Sequence, residues 1–153
     1  MSSLELKIPP PLVGLSVAVL MWVAAAMVPA LTVDWAASRW LAVGLLLIGL
    51  AFDFAGLWLF IKARTTINPL SPQKTSSIVR SGVYSVSRNP MYVGMLCLLS
   101  AWAVYLQSGA ALLLLPLFVL YIDRFQIQPE ERFLLSQFGA DYEDYRVSVR
   151  RWL

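Results

Sequence analysis

Residues 82–94 read GVYSVSRNPMYVG: two tyrosines, an arginine, an asparagine and a proline set between long apolar runs. Asn89-Pro90 has the chemistry of a helix start, since Asn is a good N-cap and Pro suits the first helical position. The amides of Met91 and Tyr92 would then be among the unpaired first-turn donors, backed by the positive end of the helix dipole. Such a place suits an anion such as a carboxylate. The alternative is that Asn89 only caps, while Tyr84, Arg88 and Tyr92 are interfacial anchors. A second polar pair, Glu130-Glu131, suggests a site for a zwitterionic or cationic ligand, or simply the acidic first turn of a helix opened by Pro129. Asp53 sits inside an apolar run. A carboxyl group there either serves function or is satisfied by a nearby Lys or Arg.

Other chemistries are disfavoured by composition. The chain has no histidine, which removes the commonest general base and the commonest transition-metal ligand, so no metal centre is expected. Its single cysteine, Cys97, allows no internal disulfide. With 59% hydrophobic and 14% charged residues, the 153-residue chain reads as an integral membrane protein of one domain, residues 1–153. The net charge of +3 flanks apolar segments, so it speaks for membrane orientation rather than nucleic-acid binding.

The elements that would position these groups follow from hydropathy. Spans are expected at about 12–31, 40–61, 91–106 and 110–127, the last two joined only by Gln107-Ser108-Gly109 as a tight antiparallel helical hairpin. The first is read as a retained helix, with no signal-peptide cleavage site after it. Lys7, Arg39, the basic residues of 62–88 and those after Arg124 put both termini in the cytoplasm, at the inner membrane if the source is bacterial. Two short cytoplasmic helices follow. One starts at Pro129 and stops at Gly139; the other carries Tyr142, Tyr145, Val149 and Trp152 as an apolar stripe that lies on the membrane or caps the bundle. The fold class is therefore all-α integral membrane with about four transmembrane helices.

TTINPLSP, then SSIVRSGVYSVSRNPMYVG, a short hairpin, and PEERFLLSQFGADYEDYRVSVRRW together resemble the isoprenylcysteine carboxyl methyltransferase and phospholipid methyltransferase superfamily. The likeness runs from Thr65 to Trp152 and rests on five separated elements in order: Gly-Val-Tyr, Arg-x-Pro-x-Tyr-x-Gly, Glu-Glu, Phe-Gly-x-x-Tyr-x-x-Tyr and Arg-Trp. It implies S-adenosylmethionine as methyl donor, yielding S-adenosylhomocysteine, and a cofactor region over about 65–94 and 124–152. Carried across, Ser76, Ser77, Ile78, Val79, Tyr84, Arg88, Asn89, Pro90, Met91, Tyr92 and Glu130 would bind the cofactor. The chain has Arg88-Asn89-Pro90 where the prenylcysteine enzymes usually read Arg-His-Pro, and Asn-Pro-Met-Tyr resembles the phospholipid N-methyltransferases.

The expected activity is methyl transfer to a lipid-like or prenylated acceptor at the cytoplasmic interface, isoprenylcysteine carboxyl methyltransferase-like, with membrane lipids as surroundings. Phospholipid amine N-methylation, a sterol-reductase-like activity and a non-catalytic scaffold are the alternatives. A carboxylate acceptor is already ionised, whereas an ammonium must lose a proton, for which Glu131, Tyr84 or Tyr92 is the nearby candidate. Arg124, after span four, is expected either to orient the acceptor through paired hydrogen bonds or to be one more positive anchor.

Overall fold

Three helices are long and apolar enough to cross a membrane: α1 (Pro10–Met27), α2 (Ser38–Lys62) and the 30-residue run Gly109–Phe138. A fourth, α3 (Pro90–Tyr105), is apolar but only 16 residues long. The computed structural model describes residues 5–63 and 77–153, among which there is no β-strand, and the expected all-α membrane class holds. Gln107 and Ser108 form the expected tight joint. The Ser108 hydroxyl accepts from the Ala111 amide at 3.3 Å and caps α4 (Gly109–Leu112).

The long run is not a uniform helix. Pro116 has no N–H for the Leu112 carbonyl, and a turn separates α4 from α5 (Leu115–Ile122). A five-residue π-helical turn, Asp123–Ile127, then joins α5 to α6 (Gln128–Phe138). The helix expected to start at Pro129 is α6, one residue earlier, but no break precedes it: Ile127 keeps φ −65° and ψ −51°, so α6 continues from the π turn. Proline frees the carbonyl four residues back, that of Phe125, and the Leu6 amide donates to it at 3.0 Å. A bond from the other end of the chain replaces the helical one. Gly139, at φ +53°, ends α6 as expected, and α7 (Ala140–Ser148) follows.

Glycines bring α2 and α3 together. A Cβ on Gly49 would lie 2.9 Å from the Gly94 carbonyl oxygen, and one on Gly94 would lie 2.9 Å from the Gly49 carbonyl oxygen. Small residues permit such backbone approach between membrane helices, where packing rather than hydrophobic exclusion drives association. Against α3, α1 and α5 build the apolar core, in which Met21, Ala103, Phe118 and Ile122 are fully buried. The indole N–H of Trp102 ties α3 to α1 by donating to the Ala18 carbonyl at 3.0 Å.

Both described termini pack at one end of the bundle. Near the N-terminus, the Gln126 amide donates to the Ile8 carbonyl at 2.7 Å; near the C-terminus, Arg151 pairs with Asp123 at 3.1 Å. The hairpin lies at the opposite end, where the Val33 amide donates to the Gln107 carbonyl at 2.8 Å and the Gln107 side chain donates to the Ser38 hydroxyl at 2.7 Å.

Candidate functional site

At the end that carries the termini, a cavity of about 800 Å³ opens between α1, α2, α3, α6 and α7. That volume is in the range of small-molecule and cofactor sites. Its polar part is walled by Arg88, Asn89, Tyr92, Glu130, Tyr142 and Tyr145, with Ser77, Ile78 and Val79 beside them. Its apolar part runs along α1 and α3, past Gly14, Leu15, Ala18, Met95, Leu99 and Trp102. Tyr84, Pro90, Met91, Glu131 and Asp53 also reach the wall. Of the residues that the sequence nominated for the cofactor, Ser76 lies outside the described residues, as does the expected segment before it; all the others are in this wall.

The start of α3 departs from expectation in one respect. Pro90 opens the helix, but the Asn89 side chain does not cap it; its Nδ2 donates to the Arg151 carbonyl at 2.9 Å. The Asn89 carbonyl accepts from the Tyr92 amide at 3.0 Å, leaving the Met91 amide as the first-turn donor without a partner among the described residues. The C-terminal segment supplies the reason: it lies across the knot. Arg88 donates its own amide to the Arg150 carbonyl at 2.9 Å and its guanidinium to the Val149 and Arg146 carbonyls at 2.8 and 2.7 Å.

Glu130 and Glu131, neighbours on α6, have opposite surroundings. Glu131 is buried and accepts from Arg88 at 2.5 Å and from Arg151 at 2.6 and 3.1 Å, so both its oxygens are committed to guanidinium groups. Charge-assisted pairing of that kind makes it a structural group, and its expected role as proton acceptor is not supported by the geometry. Glu130 meets only the Tyr92 hydroxyl, which donates to Oε2 at 3.3 Å, and has no basic partner among the described residues. Arg124 is misplaced for the expected acceptor role. It stands outside the cavity wall, half-exposed, and pairs with Glu5 at 3.1 Å.

Tyrosines roof the polar part. The Tyr145 hydroxyl donates to the Tyr84 carbonyl at 2.7 Å, and Phe60 meets the Tyr84 ring edge-on at 5.2 Å. Burial, then Tyr145, Glu130 and Asp53, push the Tyr84 hydroxyl far above the usual phenol range. Burial does the same to Tyr142, and pushes Tyr145 up to about 12 against the opposing charges of Arg88 and Arg80. These groups stay protonated near neutrality and act as donors and aromatic walls, not as bases. Tyr142 and Tyr145 were visible in the sequence as an apolar stripe and as part of the Phe-Gly-x-x-Tyr-x-x-Tyr element, but not as individual site residues. Phe60 and the Pro9–Gly14 wall carried no sequence signal.

Residues 37–141 match the phospholipid methyltransferase family. An uncharacterized protein of Haemophilus influenzae is 44% identical over 63 residues, which is 41% of this chain and the whole of the relative. No solved structure matches. The family match covers α2 through the start of α7 and so includes the knot, the Glu-Glu pair and most of the cavity wall: the chain belongs to the phospholipid methyltransferase family.

Proposed function

We propose that this protein transfers a methyl group from S-adenosylmethionine to a lipophilic acceptor at the membrane face where its termini lie, which charge placement makes the cytoplasmic one. The observation that carries this is the two-part cavity: a polar end next to α6 and α7, continuous with an apolar arm between α1 and α3. When bound, S-adenosylmethionine supplies a methyl group on a sulfonium, whose leaving group needs no protonation, so the protein's task is positioning.

The wall fits such a zwitterion. Glu130, with no basic partner among the described residues, suits the amino group or ribose hydroxyls, while the Met91 amide and the buried Arg88 Nε–H, likewise without partners among the described residues, are donors suited to a carboxylate. Tyrosine rings suit a sulfonium through cation–π attraction, worth roughly 0.5–2 kcal/mol. Ile78, Val79 and Leu134 offer apolar surface to a planar base. The acceptor reaches the same cavity along the apolar arm, and an amine is favoured over a carboxylate because Asp53, the wall carboxyl assigned neither to the cofactor nor to an arginine, has no basic partner among the described residues.

The test is calorimetry with S-adenosylhomocysteine on the purified protein and on Glu130→Gln. Loss of one charge-assisted hydrogen bond, about 1.5–3 kcal/mol, predicts roughly ten- to a hundredfold weaker binding with unfolding temperature unchanged. Equal affinity in the two proteins removes Glu130 from the cofactor site; no binding to either removes the methyl-transfer reading.

A further inference from the structure

Asp53 lies nine residues before Lys62, the last residue of α2, which puts it about 13 Å inside that end of the helix. It borders the cavity where the polar end gives way to the apolar arm, and no hydrogen bond or ion pair satisfies it among the described residues. The resemblance that identified the knot says nothing of it. The packing does: a Cβ at Gly94, the last residue of the knot, would run into the Asp53 carboxyl, so the missing side chain of α3 is the space that the carboxyl occupies. The Tyr84 hydroxyl, also facing this region, is close enough to feel the Asp53 charge. A carboxyl group in an apolar span, given room by a glycine and open to a cavity, is costly unless a cation meets it.

We propose that Asp53 is the acceptor site: it holds the ammonium nitrogen of an amine lipid and takes the proton which that nitrogen must lose. The idea rests on the methyl-transfer reading above. A lipid whose chain lies in the α1–α3 arm would present its headgroup to Asp53, one turn below the start of α3. The ammonium N–H gives its proton to a carboxylate oxygen. The nitrogen lone pair then forms the new N–C bond as the C–S bond of the sulfonium donor breaks, and that bond's electron pair leaves with sulfur. Other titratable groups facing Asp53 are Tyr84 from the loop before α3, Cys97 from α3 and, beyond them, Tyr92 and Glu130; α1 brings none. Glu131 is held by its arginines, which leaves Asp53 the carboxyl on the acceptor's side.

The experiment compares wild type, Asp53→Asn and Gly94→Ala in phosphatidylcholine nanodiscs doped with equal amounts of hexadecylamine and hexadecanoate. Native mass spectrometry reads which lipid is retained, and S-adenosylhomocysteine binding and unfolding temperature are measured on the same samples. Wild type should retain the amine at least tenfold over the carboxylate. Asp53→Asn should lose that preference with product affinity within twofold of wild type, and Gly94→Ala should lose it because the new methyl takes the place of the carboxyl. The rate of amine methylation by Asp53→Asn should rise about tenfold per pH unit toward the amine's own ionisation, where that of wild type is flatter. Equal amine preference in wild type and Asp53→Asn overturns the proposal, and lost preference with superimposed pH profiles overturns its proton-accepting half. Amine preference without any S-adenosylhomocysteine binding leaves the cation site standing and removes methyl transfer.

Discussion

The two ends of the bundle are built from different chemistry. At the hairpin end the polar contacts are neutral: Ser108 caps α4, and Gln107 bonds to Ser38. At the other end Arg88, Glu131, Arg151 and Asp123 form a continuous ion-pair chain, with Glu5 bridging Arg124 and Arg132 nearby. Neutral bonds suffice to close a loop. Charges at the edge of a membrane domain carry desolvation costs that connection alone does not require. The ionic end is where three chain segments, the knot, α6 and the C-terminal residues, must be held around an open cavity, and the charges hold the wall rather than fill it.

The largest expected effect is on that framework. Arg88→Met leaves Glu131 buried with Arg151 alone and should cost about 3 kcal/mol of stability, read as a lower unfolding temperature in detergent, with product binding lost alongside. At the neutral end Ser108→Ala should cost about 1 kcal/mol, the worth of a helix cap, and leave S-adenosylhomocysteine affinity unchanged. If Ser108→Ala weakened binding as much as Arg88→Met, the division between the ends would fail. Arg124→Ala, on an exposed arginine whose partner Glu5 keeps Arg132, should change stability by less than about 0.5 kcal/mol and leave acceptor kinetics as they are. A rise in the acceptor Michaelis constant would return Arg124 to the site. Ionisation of Tyr145 should show only at high pH. Its pKa rises from 10.0 to about 12 on folding, so its contribution to stability is complete below about pH 10 and is lost as pH rises through 12. Comparing the alkaline loss of wild type with that of Tyr145→Phe measures it.

What could be foreseen was local. The joint at Gln107-Ser108, the start of α3 at Pro90 and the stop at Gly139 each depend on residues within a turn of one another, and each stands as expected, whereas the first apolar run leaves the α-helix at Met27, before Pro29. What could not be foreseen depends on partners far along the chain. Pro129 signals a break, but the carbonyl it frees is satisfied by Leu6. Asn89 signals a cap, but its side chain is taken by the Arg151 carbonyl. Glu130 and Glu131 look interchangeable in sequence; only the convergence of Arg88 and Arg151 on Glu131 separates a structural carboxylate from one left for a ligand. Arg124, in a π turn with no sequence marker of its own, pairs with Glu5 from the other end of the chain.

Direct ultraviolet crosslinking of radiolabelled S-adenosylmethionine to the purified protein, followed by peptide mapping, tests the central claim that the cofactor sits at the ionic end. The predicted result is saturable label confined to peptides from residues 77–92 and 128–146, competed by S-adenosylhomocysteine and reduced in Glu130→Gln. Saturable label on the hairpin peptide around Gln107 and Ser108, or label that S-adenosylhomocysteine does not compete, would contradict it.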